Sequence, residues 1–153
     1  MMGLMILIAA FAPQSISFAG AEEERLAAIM KLRHDRMKNE LGGSLNLIDD
    51  EVHSAAPDRA KIARAAHTIL ASAMEIPAWF PKGSGPEMGW GLAKSVIWDK
   101  PDAFKAAAAR MIEEAAKLAR AANGGTVPEI VARFEATAGE CHGCHKIFRI
   151  PPT

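Results

Sequence analysis

Residues Cys141-His142-Gly143-Cys144-His145 hold the densest chemistry in the chain, and Cys141 and Cys144 are its only cysteines. Cys-x-x-Cys-His is the pattern of a c-type haem attachment site. Two thiols about one helical turn apart can each add to a vinyl group of one porphyrin, forming two thioethers. The histidine after the second cysteine then lies beneath the ring plane, where its neutral imidazole can bind iron. Two other uses of these residues compete. A redox disulfide needs a thioredoxin-like βαβ setting, and no strand pattern is visible. A zinc site would ask Cys141, His142, Cys144 and His145 to surround one tetrahedral ion from within five residues, with no second ligand pair elsewhere. Haem attachment accounts for the spacing best.

Those residues need a scaffold, and the composition points to helices. The length of 153 residues suits one domain, and 50% hydrophobic residues are enough for a core. Tyrosine is absent, aromatics make up 6%, and alanine, the best helix former, is abundant. The formal net charge is zero and no basic stripe supplies phosphate contacts, so a nucleic-acid partner is not expected.

Four helical patterns follow in order. Leu26, Met30, Arg33, Met37, Leu41, Leu45, Ile48 and Val52 recur at three- and four-residue steps, one face of a first helix. Glu22-Glu23-Glu24 at its start favours the positive end of the helix dipole. Gly42-Gly43 should weaken it locally, as a break or kink, and Ala55-Ala56-Pro57 ends it. Asp58 can cap a second helix with Ile62, Ala66, Ile69, Ala73 and Ile76 as its inner stripe, stopped by Pro77. A long Gly- and Pro-rich loop runs from Pro77 to Trp98. Its tryptophans, Trp79, Trp90 and Trp98, are expected to anchor it to the bundle.

Asp99-Lys100-Pro101-Asp102 offers a cap and an early proline for a third helix with Phe104, Ala108, Met111, Ala115, Leu118 and Ala122 inward. Asn123-Gly124-Gly125 terminates it. Thr126-Val127-Pro128-Glu129 is a capping box for a fourth helix with the seam Val127, Val131, Phe134, Ala138, Cys141, His145 and Phe148. The expected fold is therefore all-α, an antiparallel four-helix bundle with covalently bound haem c, the haem slotted between helices where small alanines leave room.

The apolar run Met1–Ala12 is too short to span a bilayer comfortably, and small residues then offer cleavage after Ala19 or Ala21. Residues 1–21 read as a secretory signal peptide, although no Lys or Arg precedes the apolar run, and 22–153 as the bundle domain. An uncleaved anchor is the competing reading. Export agrees with covalent haem attachment, which bacteria carry out outside the cytoplasm.

With these residues in place, the sequence resembles the class II c-type cytochromes, cytochrome c′ and its low-spin relatives, over nearly all of residues 22–153. The most specific match is Cys141-His142-Gly143-Cys144-His145-Lys146-Ile147-Phe148-Arg149 near the C-terminus. Others are Leu32–Lys38, Ile97–Ala108 and Pro81-Lys82-Gly83-Ser84. The resemblance implies a four-helix bundle, usually a homodimer, in the periplasm, carrying one haem c and its iron and meeting redox partner proteins there. It implies no membrane span after signal cleavage and no enzymatic activity. It carries over His145 as the proximal iron ligand, Arg149 as a basic residue near it, and Arg33 as the arginine that approaches a haem propionate. Periodicity supports Arg33 independently, since an unpaired charge on the inward stripe is costly; a snorkelling arginine at the bundle end is the alternative.

Four residues after Arg33, Met37 falls where the family faces the distal side of the haem. Arg-x-x-x-Met-Lys fits the low-spin pattern, so the expected function is an electron carrier with six-coordinate His145/Met37 iron, a pair that raises the potential. In the alternative, Met37 only packs, iron stays five-coordinate, and the pocket admits nitric oxide or carbon monoxide. Arg36 beside it is unusual where an apolar residue is expected. A haem enzyme is disfavoured, since no distal acid–base histidine is placed. His34 and His53 fall off the first stripe, His67 beside the second, and His142 points to solvent. Met30, Met74, Met88 and Met111 are expected to pack.

Overall fold

The apolar stripe of the first helix folds as one long rod: α1 (Phe18–Asp35), a π-helical segment (Arg36–Gly42) and α2 (Gly43–Val52). The computed structural model describes residues 18–151. Most of the expected signal peptide, residues 1–17, lies outside the described residues, while Ala19 and Ala21 fall in the first turns of α1. Leu26, Met30, Arg33, Leu41, Ile48 and Val52 are buried as expected, with Met37 and Leu45 half-buried. Gly42 and Gly43 neither break nor kink the rod out of helix; both keep right-handed helical dihedrals, and the π segment hands over to α2 between them.

The remaining elements are α3 (Arg59–Glu75), 3-10 turns at Ile76–Trp79 and Pro86–Met88, α4 (Val96–Asp99), α5 (Pro101–Gly124) and α6 (Val127–Phe148). Packing of α5 on α3 and α6, and of α2 on α3 and α6, closes an antiparallel four-helix bundle. Among the described residues no helix is long and apolar enough to cross a membrane.

Helix ends follow their local chemistry. Asp58 accepts from the Ala60 and Lys61 amides, both at 3.0 Å, and so caps α3. Asp99 does not cap α5: it belongs to the short α4, and Lys100 occupies the cap position with no side-chain bond. Pro101 at the first helical position starts α5 without one, since its missing N–H is an orphan there in any case. At α6 the capping box forms in both directions, Thr126 Oγ1 accepting from the Glu129 amide and Glu129 accepting from the Thr126 amide. That bond holds the Glu129 carboxyl below its ordinary value, so its share of stability is present above about pH 4.5 and is lost as pH falls through the depressed value. Thr126→Ala is expected to cost about 1 kcal/mol in denaturant unfolding at neutral pH, with the difference narrowing in acid.

One end of the bundle is densely filled. Ile48, Ile62, Ile69, Ala66, Ala115, Leu118 and Ile130 are completely buried there. Each Ile or Leu contributes roughly 1.5–3 kcal/mol by leaving water. At the other end the chain is stitched differently. An isolated antiparallel bridge joins Ala93 to Arg149, flanked by Lys94 N–H to Phe148 O at 2.9 Å and Ile150 N–H to Leu92 O at 2.7 Å. The long loop is thereby tied to the end of α6, directly beside the Cys-x-x-Cys-His residues.

Candidate functional site

The two ends of the bundle differ because the rod and α6 part. Around them lies a cavity of about 920 Å³, walled by the rod, α5, α6 and the loop at 90–93. Its size falls at the upper end of ligand pockets, which run to about 1,000 Å³. It brings together every residue singled out as a ligand or haem contact: Arg33, Met37, Cys141, Cys144, His145 and Arg149 all line it. Small side chains make the space, Ala107 and Ala108 on α5 among them. Phe80, Phe104 and Phe148 form one wall, with centroids 4.9 Å and 5.3 Å apart in edge-to-face contacts.

On α6 the buried face is Ile130, Thr137 and Phe148, with Phe134, Cys141 and Cys144 half-buried between them. Of the expected seam, Phe134, Cys141 and Phe148 lie on this line, and Val127, Val131 and Ala138 are half-buried beside it. The first three repeat at intervals of seven and fix the middle of the face, but residues on either side of it have equal claim by period alone. Packing on α5 buries Ile130 and Thr137 fully and leaves Val131 and Ala138 half-buried beside them, with His145 exposed. His145 therefore stands on the open flank of the cavity instead of deep in the seam.

The thiols are unbridged, and Cys141 Sγ lies 3.8 Å from Met111 Sδ. Burial pushes the Cys141 thiol up to about 11, with Cys144 adding to the shift, and burial also raises Cys144. His145 moves the other way: desolvation by the cavity walls lowers it, and the charges of Arg149 and His142 lower it further. It is thus held as the neutral imidazole that a metal requires. Its exposure and its desolvation are compatible, because the cavity it faces is open to solvent while its walls are not. Arg149 donates its backbone N–H to His145 O at 3.0 Å, fixing the end of the helix.

Arg33 is buried on α1. Nη1 donates to Trp79 O at 3.2 Å and Ser84 Oγ at 3.3 Å, Nη2 donates to Ser84 O at 3.0 Å, and the guanidinium sits 4.4 Å from the centre of the Phe80 ring. Burial lowers its pKa, and no carboxylate opposes that effect. A buried cation satisfied only by neutral acceptors has capacity left for an anion. Two thiols, a neutral imidazole and an uncompensated arginine around one apolar cavity fit the demands of a haem c: two thioether donors, an iron ligand and a propionate partner.

Several participants were not singled out as contacts by the sequence. Ser84 is completely buried, and its hydroxyl donates to Pro81 O at 2.8 Å, holding the loop under Arg33. Gly91 has φ +91°, a backbone conformation that strains any other residue, and a Cβ there would press at 3.2 Å on Met30 Cε; the glycine lets the loop close against α1. Of the three tryptophans, Trp79 is buried and Trp98 donates Nε1–H to Phe80 O and Pro81 O, as loop anchors should. Trp90 does not: it lies 45% exposed at the mouth of the cavity.

The remaining histidines and methionines divide the same way. His34 lies at the cavity rim, exposed, despite falling off the stripe. His53 pairs with Asp49 and His67 with Asn123, both away from the cavity, and His142 is exposed. Met30 and Met111 are buried cavity walls, whereas Met74 is 63% exposed and packs little.

A family model described as Cytochrome C' matches residues 28–149. A cytochrome c' from Pararhodospirillum photometricum is 34% identical over 108 residues, which is 71% of this chain and 86% of that one. A cytochrome c-556 from Agrobacterium fabrum is 33% identical over 135 residues, 87% of this chain and 84% of that one. Among solved structures, a ferrous variant of cytochrome c prime from Alcaligenes xylosoxidans with bound NO superposes with a TM-score of 0.73 at 21% identity, covering 83% of this chain and 97% of that one.

Proposed function

Because the chain belongs to the cytochrome c′ family, we propose that it is a haem c protein that holds iron through His145 and keeps the opposite side as an apolar pocket for a small gas such as nitric oxide or carbon monoxide. Members of this family carry one covalently attached haem c. When bound, that group supplies an iron with one protein ligand and a coordination position for a diatomic molecule. Cys141 and Cys144 attach it, Arg33 pairs with a propionate, and Arg149 adds positive charge beside His145.

The observation that carries the gas-binding reading is the packing of Met37. Its side chain is half-buried against the apolar core, in line with Leu41 and Leu45 on the rod. Methionine in such a place fills space. The wall around it is built from Met30, Leu41, Leu45 and Ile76, with His34 and Lys38 exposed at its rim, and this reading assigns no catalytic role. The relative solved with bound NO agrees with the same use of the fold.

The sequence alone favoured the electron carrier with His145/Met37 iron. It stays as the second reading on one observation: Met37 lines the cavity, within a π turn, an irregularity frequent at functional sites. Met37→Ala in the haem-loaded protein separates the two. The gas-binding reading expects an unchanged spin state and a faster association of carbon monoxide, by flash photolysis, as the wall recedes. A low-spin protein that turns high-spin in Met37→Ala would establish the carrier instead. Periplasmic location, a homodimer and redox partner proteins belong to either reading.

A further inference from the structure

Two adjacent rows of the rod line the cavity, and one of them, Arg33, Met37, Leu41 and Leu45, steps by four three times beside His34, Lys38 and Gly42. On an α-helix each such step overshoots a full turn by about 40°, so three would carry Leu45 about 120° around from Arg33. The wider π turns between Arg36 and Gly42 take up that rotation, and Gly43 N–H reaches back five residues to Lys38 O. The π segment is therefore what keeps Met37 and Leu41 on the cavity wall.

Such turns are rare and mostly confined to a single turn, so a segment of this length calls for outside support. A polar contact on its far side supplies it. Glu40 Oε2, within the π segment, accepts from Ser72 Oγ of α3 at 2.8 Å and from Arg36 Nη1 at 2.8 Å. Ser72 is buried, 2% exposed, among the alanines and isoleucines of α3. Arg36 rides on the same rod and moves with Glu40, whereas Ser72 belongs to a different helix and fixes the turn from outside. This also gives Arg36 a reason to stand where an apolar residue is expected.

We propose that Glu40 and Ser72 are positioning residues: their hydrogen bond holds the π turn and so sets how far Met37 stands into the distal pocket. The inference rests on the reading that Met37 faces the iron from the distal side. Released from Ser72, the segment can relax toward α-helical register and swing Met37 along the wall, opening the pocket as truncation of Met37 would.

The test uses the haem-loaded protein with Ser72→Ala, Glu40→Ala, Glu40→Gln, Met37→Ala and the Ser72→Ala/Met37→Ala pair, read by carbon monoxide association, optical spectrum and amide exchange at residues 38–43. Ser72→Ala and Glu40→Ala should change the association rate in the same direction as Met37→Ala, by roughly tenfold, the lower end of the scale for one hydrogen bond to a charged group. Glu40→Gln keeps an acceptor for Ser72 and should stay within about twofold. In the Met37→Ala background, adding Ser72→Ala should change the rate by less than about twofold, because both act through one side chain. Exchange at 38–43 should quicken in Ser72→Ala. If Ser72→Ala keeps wild-type rate and exchange while Met37→Ala does not, the lock is refuted. Full additivity of Ser72→Ala and Met37→Ala refutes it equally. If Met37→Ala itself leaves rate and spectrum unchanged, the distal placement of Met37 is what fails.

Discussion

Cys141→Ala/Cys144→Ala is expected to abolish covalent haem completely, so that the intact mass of the purified protein equals that of its polypeptide. Each single variant should keep one thioether and still carry haem through denaturing electrophoresis. The expectation follows from the placement of the two thiols. Both lie on α6, half-buried and one turn apart, and face the same cavity. Burial keeps both as neutral thiols, so neither is set up as a thiolate nucleophile for disulfide exchange. The densely packed end of the bundle, built on Ile62, Ile69, Leu118 and Ile130, does not involve them, so the double variant should keep its helical signal in circular dichroism. A double variant that still carries covalent haem would contradict the assignment.

Arg33→Met is the second large effect. Three hydrogen bonds tie this one side chain to the loop, at Trp79 O, Ser84 O and Ser84 Oγ. Methionine keeps the stem but strands those acceptors against Phe80. The loss is expected to reach about 2–4 kcal/mol in denaturant unfolding, the range for breaking a buried polar network. If Arg33 also pairs with a propionate, the loss should be larger in the haem-loaded protein than in the haem-free one. Equal losses in the two forms would confine Arg33 to holding the loop. A loss under about 0.5 kcal/mol in both would make it a surface residue in energetic terms.

Sequence reasoning went furthest where one physical rule decides the outcome. The stripe Ile62, Ala66, Ile69, Ala73 and Ile76 is buried in full, because α3 packs on both α2 and α5 and leaves its apolar face one place to go. Thr126 and Glu129 form their box because both partners are local. The cavity residues were legible for the same reason on the rod, where Arg33 and Met37 sit in the stripe. It failed where two local solutions are nearly equal and a distant contact chooses. The face of α6 is one such case, shifted off His145 by α5. The π segment is another: spacing of four repeated three times also fits one ordinary amphipathic helix, and the Ser72 that supports the wider turn lies 32 residues away. Phe80 carried no pattern at all and Ser84 only the end of Pro81-Lys82-Gly83-Ser84; neither points to Arg33 until the fold closes them on it.

The account comes down to the sixth position of the iron, and the optical and electron paramagnetic resonance spectra of the unmodified haem-loaded ferric protein at neutral pH measure it directly. The account predicts a high-spin, five-coordinate spectrum that converts on adding nitric oxide or carbon monoxide to the reduced form. A low-spin spectrum with a methionine–iron charge-transfer band, unchanged by either gas, would contradict it.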